Sequence, residues 1–326
     1  MQRAISHEYS LLLLSLYRLS LECPLDQFQD AALGLVRTEL AFDSSMWGTA
    51  KHGVSGIDIH TIHLHRQPIE MLHAYEAVKH LDTAAVAVSR APAATLSFNS
   101  ADWFSAPSQR PLLEYGNRFD QRNFFITSVL DLDTGLAQWV TLFRASAKAE
   151  GTEQERLLLA ALMPHLQQSL KHNRMLHLSR LNRAEQPIQG SAIADARGML
   201  YHQDPAFEEA MRLEWERWTP PAIPDALRKH FAGGQRVFCG RHKVVTCHVE
   251  RDLLFLHSRP RHRADALSPR ELAVARLMAQ GHTHKGVAAE LGRAPSTVRN
   301  HMQAIYGKLD VNSIAGLIEE LRLIAE

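Results

Sequence analysis

Apolar residues at the start of the chain recur at helical spacing. Leu13, Leu16 and Leu21 fall on one side, the pattern breaks at Pro24, and a second helical run reaches about residue 42. The spacing therefore predicts two helices. Further along, the pattern predicts strands over 45–50 and 56–65, a helix over 68–80 and a loop-rich stretch over 90–109.

Two apolar runs in the middle of the chain predict a β-hairpin. They span 123–132 and 136–145, and the turn sequence Asp133-Thr134-Gly135 joins them. A hairpin of this kind belongs to an antiparallel sheet.

A long helix is predicted next, from a capping box of Thr152 and Glu155 to about residue 181. Part of this helix has coiled-coil-like spacing, at Leu159, Leu162, Leu166, Asn173 and Leu176. Such a stripe is either a dimer seam or the face that packs on the sheet, and the spacing leaves both open.

The segment after a polar linker over 182–190 is short and mixed. Gly198 interrupts two strand-like runs, a short helix is predicted around 205–211, and residues 237–257 predict a hairpin or meander. Residues 259–263, with the sequence RPRHR, are predicted to be a final linker.

Capping signals divide the last sixty residues into helices. Ser268 and Glu271 form a capping box with Pro269 at the first helical position, and Gly281 supplies a left-handed stop. A first helix is therefore predicted over 269–280. The same reasoning predicts three further helices, over 284–291, 295–309 and 313–325.

The third of these helices has two different faces. Val298, Met302, Ile305 and Leu309 form an apolar stripe, whereas Arg299, Asn300, Gln303 and Lys308 lie opposite and can donate to base edges and phosphates. A charged face alone is more often simply solvated. Here it follows a helix and a tight glycine turn in register, which is what a major-groove reader requires.

Residues 267–317 resemble the helix-turn-helix of LuxR-type transcription regulators. The matching residues are Arg270-Glu271, Gly281, Lys285, Val287-Ala288, Leu291-Gly292, Thr297-Val298-Arg299-Asn300-His301 and Lys308-Leu309. Two positions depart from the family pattern. Ala294 stands where a capping Ser is usual, and Ile314 stands where an Arg is common.

The resemblance implies a role for particular side chains. Arg299, Asn300 and Gln303 would contact bases, and Lys285, Ser296, Thr297, His301 and Lys308 would contact phosphates. Ile314, Leu317, Ile318 and Leu321 form one apolar stripe on the fourth helix. Part of this stripe would close the small core, and the resemblance implies that the same helix pairs two subunits. Pairing of this kind would place two recognition helices about 34 Å apart, one turn of DNA.

The predicted fold class is α+β with three domains. Residues 1–181 resemble a GAF-like α/β sensor closed by the long helix, and 182–260 resemble a short PAS-like connector. Residues 261–326 would be an all-α, four-helix LuxR-type domain. Aromatic residues of the sensor, represented by Trp47, Trp103 and Trp139, are candidates to line a ligand pocket.

Charge concentrates where the helix-turn-helix pattern lies. The whole chain of 326 residues has a formal net charge of +1, but residues 261–308 contain eight basic against three acidic residues, a net of +5. DNA binding requires such a local excess of positive charge. Three cysteines without a CxxC pair, and no apolar stretch long enough to span a membrane, predict a cytoplasmic protein.

Enzyme signatures are missing from the chain. It contains no Gly-x-Ser-x-Gly elbow, dinucleotide fingerprint, Walker loop or HExxH motif, so we expect no catalysis and no cofactor. His60, His63 and His65 lie close in sequence, but strand alternation puts His60 on the opposite face from the other two. We therefore expect no metal site.

These features together predict a one-component, ligand- or signal-responsive transcription regulator. It would act as a homodimer on a two-fold symmetric site in double-stranded DNA, with RNA polymerase and a small-molecule ligand as candidate partners and no membrane contact. One alternative is an acyl-homoserine-lactone quorum receptor, which the extra PAS-like segment disfavours. The other is a sensory protein that uses its helix-turn-helix for protein contacts, which the local basic charge disfavours.

Overall fold

The computed structural model describes residues 7–53, 56–91, 94–132, 134–181 and 189–324. These residues belong to two compact units, Met1–Arg180 and Leu181–Glu326. Both units contain a five-stranded antiparallel sheet, and the second ends in a group of helices. The α+β class predicted from the sequence is confirmed.

The first unit is a sheet between two layers of helices. Its strands lie in the order β2-β1-β5-β4-β3. Its helices are α1 (His7–Glu22), α2 (Phe28–Glu39), α3 (Glu70–Val78), α4 (Thr83–Arg90), α5 (Ser100–Trp103), α6 (Arg110–Arg118) and α7 (Glu153–Leu181). Its strands are β1 (Ser44–Gly53), β2 (Gly56–His65), β3 (Thr95–Asn99), β4 (Asn123–Leu130) and β5 (Ala137–Arg144).

Strand alternation sends side chains of the sheet into two separate cores. Trp47, Val140 and Leu142 pack with α1, α2 and α7 on one face. Phe124 and Phe143 pack with α3, α4 and α6 on the other face. Trp47, one of the predicted ligand residues, therefore lies on the opposite side of the sheet from Phe124 and Phe143.

The long helix α7 is fixed at both ends to its own unit. Thr152 and Glu155 form the predicted capping box, and Glu155 also pairs with the buried Arg144 at the end of β5. Near the other end, Asn173 Nδ2 donates to the Ser20 and Cys23 carbonyls. The Leu159, Leu162 and Leu166 stripe is buried in the core, so of the two alternatives it is the packing face.

The second unit begins with a small sheet in the strand order β7-β6-β10-β9-β8. Its strands are β6 (Gly190–Asp195), β7 (Leu200–Gln203), β8 (Val237–Cys239), β9 (Lys243–Glu250) and β10 (Leu253–Pro260). Two helices, α8 (Pro205–Glu214) and α9 (Asp225–Ala232), cover one side and share a core with it. We refer to residues 189–260 as the connector.

The last part of the second unit is helical and has its own core. It contains α10 (Pro269–Ala279), α11 (His284–Glu290), α12 (Pro295–Leu309) and α13 (Ile314–Arg322), preceded by a 3-10 helix over Arg263–Ala266. The four helices match the four predicted from capping signals, and α12 begins and ends as predicted. The core gathers their apolar stripes around Val274, Ile305 and Leu317.

Several elements differ from the sequence prediction. The stretch over 90–109, predicted as loop, contains β3 and α5. Strand β3 is only five residues long and does not alternate between buried and exposed positions, so it left no strand pattern in the sequence. Asn99, its last residue, caps α5 directly. Helices α4, α6 and α9 were not predicted. The β4–β5 hairpin is confirmed by its register, although Asp133 of its predicted turn lies outside the described residues.

Candidate DNA-binding surface and ligand cavity

Helix α10 contacts the far end of α12 and so helps to position it. The Ser268 hydroxyl accepts from the Glu271 N–H, and a Glu271 carboxylate oxygen accepts from the Ser268 N–H at 2.7 Å. The predicted capping box is therefore present. It satisfies two backbone donors at the start of α10 that have no partner within the helix.

The Glu271 carboxylate also binds the far end of α12. Lys308 Nζ donates to Glu271 Oε2 at 2.7 Å, and the Glu271 side chain is 9% exposed. This ammonium group, together with the Ser268 N–H, lowers the pKa of Glu271 to about 2. Lys308, predicted as a phosphate contact, is thus held by a carboxylate of its own domain.

A tight turn leads from α11 to α12. Thr283 caps α11 through the Gly286 N–H, and Gly292 after the helix has a φ of 63°, a conformation that favours glycine. Ala294 occupies the N-cap of α12 and supplies no side-chain hydrogen bond, while Pro295 fills the first helical position. The start of α12 is therefore set by proline and the short turn.

One face of α12 is buried and the other is free for a partner. Val298, Met302, Ile305 and Leu309 lie in the core, whereas Arg299, Asn300 and Gln303 are exposed. Exposed amide and guanidinium groups are the donors and acceptors that read base edges in the major groove. The three predicted base-contacting residues are thus on one accessible side of α12.

The predicted phosphate contacts differ in accessibility. Lys285 at the start of α11 and Ser296 in the first turn of α12 are exposed, and Thr297 and His301 are half-buried. All four belong to the helix pair that flanks the Gly292 turn.

Part of the apolar stripe of α13 closes the domain core, as the sequence predicted. Leu317, predicted as a dimerisation residue, is fully buried against the other helices of its own domain. Leu321 also packs against this core. Ile314 is 41% exposed and Ile318 is half-buried, so the apolar surface available on α13 is smaller than predicted.

A cavity that is partly open to solvent lies between the sheet of the first unit and the helices α3, α4 and α6. Its volume is about 140 Å³. Most of its wall is apolar, with Met46, Ile59, Leu72, Phe104, Leu112 and Ile126 among the lining residues. None of the described lining residues is Lys, Arg or His. The cavity therefore disfavours an anionic occupant.

The three tryptophans predicted to line a pocket lie in three different places. Trp139 lines the cavity, and its ring lies over Gly48 on the neighbouring strand, where a Cβ would come within 2.8 Å of the ring. Trp47 points to the opposite face of the sheet and is 1% exposed. Trp103 is 44% exposed and donates to Thr83 Oγ1. Only Trp139 of the three is a lining residue.

The half-buried carboxylate of Asp82 is the one acidic group among the described lining residues, and sequence patterns did not point to it. Asp82 caps α4 by accepting from the Ala85 N–H at 2.9 Å, and it accepts from the Tyr75 hydroxyl at 2.7 Å. Burial raises the pKa of Asp82 despite these hydrogen bonds, and burial also raises the pKa of Tyr75. The capping position of Asp82 before Thr83 was the one signal that could have identified it.

The segment predicted as the final linker is ordered by ion pairs. Arg259, in β10, makes two hydrogen bonds to the Asp265 carboxylate, and Arg263 donates to the Leu309 carbonyl at the end of α12. Residues 259 and 260 continue β10, and 263 enters the 3-10 helix. The interpretation of residues 259–263 as a free linker is therefore corrected.

Comparison with known proteins identifies the helical domain. A model of the luxR family of bacterial regulatory proteins matches residues 265–321. The probable transcriptional regulatory protein NarL of Mycobacterium tuberculosis is 44% identical over 57 residues, which are 18% of this chain and 26% of that protein. The chain thus spans about a quarter of the length of this curated relative.

Solved structures with a likeness to longer parts of the chain are distant in sequence. SdiA in complex with octanoyl-rac-glycerol is 15% identical, with a TM-score of 0.42, over 99% of this chain and 97% of that one. The phycoerythrobilin-bound GAF domain of a cyanobacterial phytochrome is 15% identical, with a TM-score of 0.36, over 53% of this chain and 98% of that one.

Proposed function

Because residues 265–321 form a LuxR-type helix-turn-helix domain, we propose that the protein is a sequence-specific, DNA-binding transcription regulator. The observation that carries this proposal is the accessible face of α12. Arg299, Asn300 and Gln303 are exposed on a helix whose opposite side is buried in the domain core. A helix of this kind can enter the major groove without disturbing its own fold.

The polar residues around α12 divide into two roles in this proposal. Arg299, Asn300 and Gln303 contact bases, while Lys285, Ser296, Thr297 and His301 contact phosphates on either side. Lys308 contacts phosphate only if it leaves or shares its contact with Glu271. Phosphate contacts position the domain, and base contacts select the sequence.

The protein acts as a homodimer in this proposal. The surface of α13 that is left for pairing contains Ile314 and Ile318, joined by Leu323, which is 38% exposed. Two-fold pairing would give a two-fold symmetric DNA site. Ile314→Glu should shift the dimer towards monomer in sedimentation, and Asn312→Glu, an exposed change two residues away, should not.

The cavity of the first unit makes the regulator ligand-responsive in this proposal. A volume of about 140 Å³ is close to that of apolar cavities that hold a benzene-sized molecule, roughly 150 Å³. The occupant would be small, uncharged and largely apolar, with a donor directed at Asp82. It would act by binding one conformation of the regulator more tightly than another.

Other partners follow from the same proposal. A transcription regulator of this type works in the cytoplasm, where RNA polymerase is a candidate protein partner. Among the described residues, no helix is both long and apolar enough to cross a membrane.

Selection of genomic DNA fragments by the purified full chain over a salt series tests the DNA-binding proposal. We expect enrichment of one two-fold symmetric sequence, with an affinity that falls steeply as salt rises. Arg299→Ala should lose this enrichment. Arg322→Ala, which removes the same charge from α13, is the matched control and should retain it.

The alternative is a sensory protein that uses its helix-turn-helix for protein contacts, and it predicts the opposite result in the same experiment. If neither the unmodified chain nor the Arg322→Ala variant enriches any DNA sequence, the exposed face of α12 binds protein instead. In that case the interaction need not weaken with salt.

A further inference from the structure

The last strand of the connector runs almost directly into the DNA-binding domain. Strand β10 ends at Pro260, and the 3-10 helix of the next domain begins at Arg263. Two residues separate them, and both are held: the Arg261 N–H donates to the His242 carbonyl, and the His262 N–H donates to Asp265. The junction therefore has little freedom to swivel.

An ion pair with little solvent access spans this junction. Arg259 Nη1 and Nη2 contact the two oxygens of Asp265 at 2.7 and 2.5 Å. The side chains of Arg259 and Asp265 are 13% and 7% exposed. Burial by itself would raise the pKa of Asp265, but the hydrogen bonds from Arg259 and from the His262 N–H outweigh it, and the pKa is lowered. A two-point contact of this kind fixes orientation as well as distance.

The 3-10 helix that carries Asp265 belongs to the core around the recognition helix. Ala264 is 1% exposed and packs in the same cluster as Ile305 and Leu309 of α12. A shift of Asp265 relative to the helical domain would therefore disturb this packing.

A second arginine of the same segment holds the end of α12. Arg263 Nη1 lies 3.2 Å from both the Leu309 carbonyl and the Asp310 carboxylate. A cation at a helix C-terminus is favoured because the last carbonyls have no partner within the helix. The chain of contacts therefore runs from β10 through Arg259, Asp265 and Arg263 to α12.

We propose that Arg259 and Asp265 are positioning residues that fix the orientation of the recognition helix relative to the connector sheet. Arg263 completes the coupling at the end of α12. The proposal rests on the proposed DNA-binding function, in which two recognition helices must meet two half-sites at a set separation. The connector and the DNA-binding domain then act as one rigid body. Pairing through α13 brings two DNA-binding domains together, and the rigid junction adds a limit on how far each can turn, so both select the spacing of the half-sites.

The test uses the full chain with Arg259→Met and Asp265→Asn combined. The double change removes both charges at once, so no lone carboxylate is left buried, and the new asparagine amide would still offer an oxygen to the His262 N–H. Arg261→Met is the matched control, because Arg261 lies in the same segment but its guanidinium donates within the connector, to the Gly240 carbonyl.

The first measurement is amide hydrogen exchange without DNA. The double variant should exchange about tenfold faster over residues 262–266 and 309–311, because local opening costs less free energy once the ion pair is lost. The control should exchange like the unmodified chain. Unchanged exchange in the double variant would overturn the proposal without any reference to DNA.

The second measurement is binding to a selected site whose two half-sites are moved apart or together by single base pairs. The double variant should bind an isolated half-site within about twofold of the unmodified chain but lose about tenfold of the preference for the best spacing. An undiminished spacing preference would overturn the proposal. If the unmodified chain itself binds no half-site, the proposed function fails, and the exchange measurement alone decides whether the junction is coupled.

Discussion

Glu271 and Lys308 join the two ends of the helix-turn-helix. Their side chains meet at 2.7 Å although they lie 37 residues apart, one in the first turn of α10 and the other in the last turn of α12. Glu271 simultaneously caps its own helix. One carboxylate therefore sets the start of α10 and the far end of the recognition helix.

Replacing Lys308 with Met should lower the stability of the DNA-binding domain. Loss of an ion pair with one well-buried partner should cost about 1 kcal/mol of unfolding free energy. The salt dependence of DNA affinity, measured for Lys308→Met and for the unmodified protein, tests whether Lys308 also contacts a DNA phosphate. A reduced salt slope would show that Lys308 also contacts phosphate, and an unchanged slope would restrict it to the contact with Glu271.

The low pKa of Glu271 makes the same contact pH-dependent. The folded state holds this pKa at about 2, below the ordinary value of 4.5. The resulting stabilisation is fully present above pH 4.5 and is lost as the pH falls towards 2. The protection factors of the α10 and α12 amides, corrected for the pH dependence of the intrinsic exchange rate, should therefore fall over this window in the unmodified protein.

Glu271→Gln is the control for that pH dependence. Glutamine can still complete the capping box but does not titrate. At neutral pH, the amides of α10 and α12 should be less protected from exchange in this variant than in the unmodified protein. On acidification, the variant should lose less of that protection. Equal losses in both proteins would assign the pH dependence to other carboxylates.

Arg299→Ala should weaken specific DNA binding by about 1–3 kcal/mol and blur the preference at one base position if the guanidinium reads a guanine. The check is a comparison of affinities for the selected site and for its single-base variants. A uniform loss across all sequences would instead place Arg299 on the phosphate backbone.

The N-cap of α12 can be improved. Ala294 offers no side-chain acceptor there, so Ala294→Ser should stabilise the DNA-binding domain by about 1 kcal/mol. Ala304→Ser, in the exposed middle of α12, is a matched control and should not stabilise it. The free energies of unfolding of the two variants are compared by denaturant titration, with the exchange protection of the α12 amides as the probe.

Filling the cavity should abolish the response to ligand. Ile126 lines the cavity from β4, and Ile126→Trp should remove most of its volume while leaving DNA binding intact. Leu130 lies on the same strand but is 41% exposed, so the Leu130→Trp variant should keep its response to ligand. The readout is the change in DNA affinity caused by a fractionated cell extract. A response that survives Ile126→Trp would place the ligand elsewhere.

The helical domain could be predicted closely because its signals are local. Ser268 with Glu271, Thr283 and Pro295 each set a helix start within a few residues of chain, and the structure follows them. The burial of Leu317 depends on how four helices pack together. Spacing on α13 alone could not distinguish a core residue from a pairing residue.

The cavity of the first unit and the junction at residues 259–265 could be predicted less well, because they depend on contacts between residues far apart in the sequence. Asp82 becomes a cavity residue only because Tyr75 of α3 and the sheet fold around it, and Trp47 and Trp139 separate because they occupy opposite faces of neighbouring strands. Arg259 belongs to a sequence with the composition of a linker. Its order comes from Asp265, which the sequence pattern did not single out.

Both sheets place their first strand beside their last, and this has a consequence for synthesis of the chain. Trp47 of β1 pairs with Val140 of β5, and Ile193 of β6 pairs with Phe255 of β10. On the ribosome, the centre of each sheet must therefore wait for its closing strand to emerge. The connector receives that strand immediately before the helical domain is made, so the nascent chain completes the connector only as its last four helices begin to appear.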